Sequence, residues 1–111
     1  MCLYATSKRL TAEEDITCYK VLNDDMTALY YPFTYEVGRL YKGKLDMPGP
    51  TWNDVDKAFH TYATIVIAQR AAGCGYRKVW RATIPIGAKY YEGACNEYAS
   101  NQIIIVEQIK Q

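Results

Sequence analysis

The sequence predicts an α+β domain: a mostly antiparallel sheet with one main helix, around residues 62–73, and a C-terminal central strand. Three observations lead there. Short β-branched and aromatic runs alternate with turn residues along most of the chain. An alanine-containing stretch before Gly73 has helical composition and a glycine stop. The closing run Gln102–Ile109 (QIIIVEQI) is apolar on both faces through Ile103–Val106, as suits a strand covered on each side. Strands, helix, then strands again is the order of an α+β fold.

The elements follow in sequence. Met1–Glu14 reads as an irregular lead-in with one helical turn at Thr11–Glu14. Asp15–Leu22 (DITCYKVL) reads as a strand, and Asn23-Asp24-Asp25 as the turn after it. Pro32 divides Thr27–Tyr31 from Phe33–Val37; it lacks a ladder donor, so this stretch is an edge or a bend. Arg39–Lys44 forms a short strand after Gly38, and Asp46–Pro50 is a loop. From Trp52 to Gly73 two readings compete. In one, Thr51 caps a single long helix, with Asp54 closing a capping box. In the other, Lys57–Tyr62 is a strand and the helix runs from about Thr64 to Ala72. Gly73 and Gly75 end the helix either way. Arg77–Ile84 is a strand with Trp80, Ala82 and Ile84 on one face and Arg81 and Thr83 on the other. Pro85–Ala88 turns, Lys89–Tyr91 is extended, Glu92–Ala94 turns again, and Glu97–Ala99 pairs briefly.

Composition sets limits. The chain of 111 residues makes one domain, residues 1–111, and half of its residues are hydrophobic, which argues against disorder. No apolar run approaches the roughly 20 residues of a membrane helix. No apolar segment follows Lys8 and Arg9, so a secretory leader is not expected and a cytoplasmic location is. The four cysteines, Cys2, Cys18, Cys74 and Cys95, form no C-x-x-C pair, and His60 is the single histidine. No metal site or disulfide is therefore expected, and the thiols read as small buried hydrophobes. A net charge of +1 gives no electrostatic case for nucleic acid. The unusual number is eleven tyrosines, which suit either an aromatic core or pockets and interfaces.

Several residues are candidates for ligand contact. Arg77 and Arg81 share a strand face, a geometry that matches phosphate; the same pair also serves as an ordinary sheet rim. Tyr90 and Tyr91 alternate faces, and an outward ring could stack on a base for about 1–3 kcal/mol; the alternative is a cross-strand aromatic pair. Lys89 beside them could meet a phosphate or simply be solvated. His60 could titrate near neutral pH, with an ordinary pKa of about 6.5, or be a packed, hydrogen-bonded residue. Glu97 is either a ligand carboxylate or an exposed turn acid. No P-loop, Gly-x-Gly-x-x-Gly or serine elbow is present. Cys74, between two glycines, lacks the neighbours that activate a nucleophile.

The strings IPIGAKYYEG and NEYASNQIIIVEQI, with EEDITCYKVL, YEVGRLY and AFHTYATIVIAQRAA, resemble small proteins of gut bacteria and their phages. The similarity covers Glu14–Ile109 and favours the reading in which AFHTY is a strand entering the helix. A more distant likeness is to minimal ADP-ribosyltransferase-like domains. Its pieces are Tyr19 and Lys20 on the first strand, Ala58–Tyr62 ahead of Ala68, and Glu97 before the last strand. Such domains clamp a dinucleotide between two small sheets, and their glutamate orients the ribose hydroxyls. The chain departs from them in having no Ser-Thr-Ser run and no arginine on the first strand. The candidate residues and these resemblances together point to a binding protein, with Tyr19, Lys20, His60, Arg77, Arg81, Lys89, Tyr91 and Glu97 as its contacts and no cofactor. It would sequester a nucleotide-like signal, such as ADP-ribose or a cyclic nucleotide, to counter a host defence, and its tyrosines suit the interface of a homo-oligomer. The alternatives are a minimal transferase with Glu97 as its catalytic carboxylate and a surface-only inhibitor of a host protein.

Overall fold

The computed structural model describes residues 3–29, 33–45, 54–55, 58–73 and 77–110. The elements are β1 (Leu3–Tyr4), β2 (Leu10–Thr11), β3 (Ile16–Asn23), β4 (Leu40–Lys42), β5 (Asp54–Val55), β6 (Phe59–Tyr62), α1 (Ile65–Ala72), β7 (Arg77–Ile84), β8 (Lys89–Glu92), β9 (Glu97–Ser100) and β10 (Gln102–Gln108). Eight strands form one sheet in the order β2-β8-β9-β6-β3-β7-β10-β4, and β1 pairs with β5 separately. Every pairing between these strands is antiparallel.

The α+β expectation is thereby corrected. The only helix among the described residues has eight residues, so the architecture is closer to all-β. The helix expected from about 62 begins only at Ile65, because Thr61 and Tyr62 are held in β6; the β-branched Ile65, Val66 and Ile67 are themselves helical. Phe59–Tyr62 stays in the sheet, paired with β9, which rules out the long-helix reading. Thr64 is the cap, its hydroxyl accepting from Ile67 N at 3.3 Å. Gly73 ends α1 at φ 66°, a conformation that favours glycine. The lead-in has no helical turn at Thr11–Glu14. Leu10–Thr11 instead pairs with Tyr90 and Lys89 of β8, a partner nearly eighty residues away that no local pattern reveals. The loop expected at Asp46–Pro50 lies outside the described residues, as does Gly75. The C-terminal strand β10 has a neighbour on each side but lies next to the sheet edge, with β6 and β3 at the centre.

The sheet is rolled, and one residue makes the reason plain. Asn101 alone separates β9 from β10, yet three strands lie between them in the sheet. Four inter-strand steps of about 4.8 Å would hold them about 19 Å apart in a flat sheet, far beyond the reach of one residue. The two arms therefore curl toward each other at this end. Asn101 pins them: its N–H donates to Lys89 O at 3.0 Å, its Oδ1 accepts from Lys89 N at 2.9 Å, and its carbonyl accepts from Gly43 N at 2.8 Å.

The inner face of the roll holds the main core. Cys18, Leu22, Ala82, Ile84, Ile103 and Ile105 are fully buried there, with Tyr35, Phe59, Tyr41, Trp80, Tyr90 and Tyr98 packed around them. Outside, α1 lays Ala68 and Ala72 on Val21 and Val79. A third cluster joins Ala5, Leu45, Tyr91 and Ala99. Among the described residues no helix is long and apolar enough to cross a membrane.

Candidate functional site

Residues paired across antiparallel strands project to the same face, so the register sorts the candidate residues. Tyr19 on β3 is opposite Arg81 on β7 and Tyr62 on β6; Tyr62 is opposite Glu97 on β9; and Arg81 is opposite Glu107 on β10. The result is an outer-face row, Glu97–Tyr62–Tyr19–Arg81–Glu107, crossing five strands. Glu97 and Arg81 are three strands apart, about 14 Å. The row runs beside the N-terminal end of α1, since the helix begins three residues after Tyr62.

The groups in the row differ in electrostatics. Glu97 is half-buried, and burial holds its carboxyl above the usual carboxylate range. Arg81 Nε donates to Glu107 Oε1 at 3.0 Å in a solvent-facing ion pair. Both tyrosines are half-buried and pack against the α1 cluster. Arg77 lies on the same face four residues before Arg81, opposite Asn23, and is exposed.

Of the other candidates only His60 lies on this face. Lys89 is at the far side of the sheet, where its ammonium donates to Thr11 Oγ1. Tyr91 is only 8% exposed and packed in the third cluster, so neither it nor the half-buried Tyr90 is a free outward ring; Tyr90 meets Tyr98 edge-on at 5.8 Å. His60 shares the outer face of β6 with Tyr62, and its carbonyl accepts a hydrogen bond from Lys20. Lys20 is on the inner face, opposite Trp80 and apart from the row. Of the candidates, the structure therefore brings together Tyr19, Arg77, Arg81 and Glu97, with His60 on the same face. The sequence reading missed Tyr62 and Glu107, whose only signal is the cross-strand register.

Lys20 is the most perturbed base among the described residues. Its Nζ donates to His60 O at 2.7 Å and lies 5.8 Å from the centre of the Tyr35 ring. The residue keeps some solvent exposure, yet the packing around its ammonium is dense, and desolvation pushes its pKa down to about 8. The same burial pushes the neighbouring Cys18 thiol up to about 11, against smaller downward pulls from Thr61 and Lys20. Cys18 and Cys95 are both free thiols, the first buried and the second exposed; Cys2 and Cys74 lie outside the described residues. Among the described residues no group of three His, Cys, Asp or Glu side chains could hold a metal ion.

Comparison with protein-family models, with curated proteins and with solved structures finds no match to this chain.

Proposed function

We propose that the chain is a binding module that captures a nucleotide-like ligand, such as ADP-ribose or a cyclic nucleotide, on the outer face of its sheet. The observation that carries this reading is the row Glu97–Tyr62–Tyr19–Arg81, in which two rings lie between a guanidinium and a carboxylate. Rings offer stacking surface, and arginine offers paired donors for phosphate. The N-terminal end of α1 adds a partial positive charge beside the same row. Glu97 can accept from ribose hydroxyls. These contacts suffice for capture without turnover. The resemblance to phage proteins sets such capture in a host cytoplasm, where removing a signal would blunt a defence. Exposed Phe33, Val37 and Leu40, near the edge strand β4, are apolar surface suited to self-association.

A thermal-shift series with NAD, ADP-ribose and cyclic nucleotides tests the reading. A ligand stabilises by RT ln(1 + [L]/Kd), about 2.7 kcal/mol at one hundred times Kd. The shift should disappear in Arg81→Ala and Tyr62→Ala. A flat response to every nucleotide at millimolar concentration rejects capture. The raised pKa of Glu97 favours one second reading, a minimal ADP-ribosyltransferase. That activity would consume NAD in host lysate and vanish in Glu97→Gln; intact NAD after long incubation rejects it.

A further inference from the structure

The inner face of the roll carries a different set of groups, separate from the outer row. A buried cation is normally paired with an acid. The Lys20 ammonium has three donors, and the acceptor it meets among the described residues is a neutral carbonyl, His60 O. The two ion pairs found among the described residues are Arg39–Glu36 and Arg81–Glu107, and neither involves Lys20. Two further polar atoms on this face are buried, Trp80 Nε1 with no hydrogen-bond partner and Thr61 Oγ1 with none but the Cys18 thiol beside it. Trp80 is directly opposite Lys20 across β3 and β7. Thr61 is 1% exposed, and its hydroxyl is near enough to Cys18, two residues from Lys20 on the same face, to hold the thiol's pKa down. The β3–β6 ladder has a single register pair, Tyr19–Tyr62, and Lys20 and Thr61 face inward next to it. The rings of Tyr35, Phe59 and Trp80 wall the same region.

We propose that this cluster is a binding site for a small monocarboxylate, with the Lys20 ammonium as counter-ion and the Trp80 indole N–H and Thr61 hydroxyl as further donors. A carboxylate offers two oxygens with about four acceptor positions, enough for three donors carried on neighbouring strands of one face. One negative charge neutralises the one cation, whereas a phosphate dianion would leave net charge in an aromatic surround. The rings give an apolar wall for the organic part of the ligand, and the interiors and mouths of rolled sheets are recurrent small-ligand sites. Binding restores the missing counter-ion, so the ammonium is held charged when the site is filled.

The test uses the full chain with acetate, propionate and benzoate as probes, and chloride and phosphate as controls at equal ionic strength and pH 7. In 1H–15N spectra, the Trp80 indole cross-peak, identified by its loss in Trp80→Phe, should move and saturate with a carboxylate and stay fixed with chloride. Melting temperature should rise saturably with the same probes. Lys20→Met, which keeps the length of the side chain, should abolish both responses. Trp80→Phe should weaken binding about tenfold, the loss of one hydrogen bond to a charged group. No saturating shift of the Trp80 peak in the unmodified protein overturns the proposal, whatever the variants do. So does an equal response in Lys20→Met, or one that chloride reproduces. A response to phosphate alone rejects the carboxylate assignment. Because no nucleotide is used, failure here leaves capture on the outer face standing, and the reverse also holds.

Discussion

Replacing Lys20 by methionine should stabilise the protein at neutral pH, and the gain should fade as the pH rises. In the unfolded chain the amine has its ordinary pKa of 10.5; in the fold burial lowers it to about 8. At pH 7 both states bind the proton, and the folded state bears the cost of a desolvated cation. Between pH 8 and 10.5 the unfolded chain binds more protons than the folded one, so stability from this group rises with pH across that window. The difference between the two pKa values corresponds to at most about 3 kcal/mol at pH 7, falling to about 1 kcal/mol at pH 10. Methionine removes the charge but leaves His60 O without this donor, a loss of about 1–2 kcal/mol. Lys20→Met should therefore unfold at higher urea than the parent at pH 7, by about 1 kcal/mol or more, and lose that advantage by pH 10. Cys18 acts in the opposite sense. Its folded pKa is raised, so it lowers stability from about pH 9 to 11 in both proteins; the variant lacks the small downward pull of Lys20 on this thiol, which adds to its loss of advantage at high pH. Urea titrations followed by tryptophan fluorescence at pH 7, 8.5 and 10, in carboxylate-free buffer, measure the effect. A parent–variant difference that does not change with pH would refute the argument that burial strains this amine.

Three further outcomes follow from the packing. Cys95 should react with iodoacetamide in the native protein while Cys18, fully buried, is modified only on unfolding; peptide mapping that finds equal rates contradicts the placement of β3. Ile105→Ala, at a position with no exposed surface, should cost about 2–5 kcal/mol in urea unfolding, and a cost below 1 kcal/mol would remove Ile105 from the core. Asn101→Ala should cost about 1 kcal/mol and speed exchange of the Lys89 amide, which donates to Asn101 Oδ1; unchanged exchange would deny Asn101 its role in closing the roll.

Local pattern made much of the fold legible. The strands Ile16–Asn23 and Arg77–Ile84, the turn at Pro85–Ala88 and the glycine stop of the helix Ile65–Ala72 follow from residue types within one segment, whereas the residues alone leave the start of that helix open between two readings. The Arg77/Arg81 face was readable from alternation alone, as was the inward set Trp80, Ala82 and Ile84. What failed was whatever depended on a distant partner. Leu10–Thr11 is a strand because β8 offers it an edge, and Tyr91 is buried because Ala5, Leu45 and Ala99 close over it. The α+β reading gave its one helix too large a share because two- to four-residue strands leave little local trace, and only pairing reveals them.

The sequence by itself determined which residues could carry chemistry: a surplus of tyrosines, a few cations on strands, one glutamate before the final strand and one amine on the first long strand. The tertiary structure alone decided their company. It set Tyr62 between Glu97 and Tyr19, and it turned Lys20 inward among rings beside a buried indole N–H and threonine hydroxyl. The physical reason is register. Side chains one residue apart on a strand go to opposite faces, and which residue stands opposite which is fixed by hydrogen bonds between segments tens of residues apart. Tyr19 and Lys20, neighbours in the chain, therefore belong to two different surfaces of the protein.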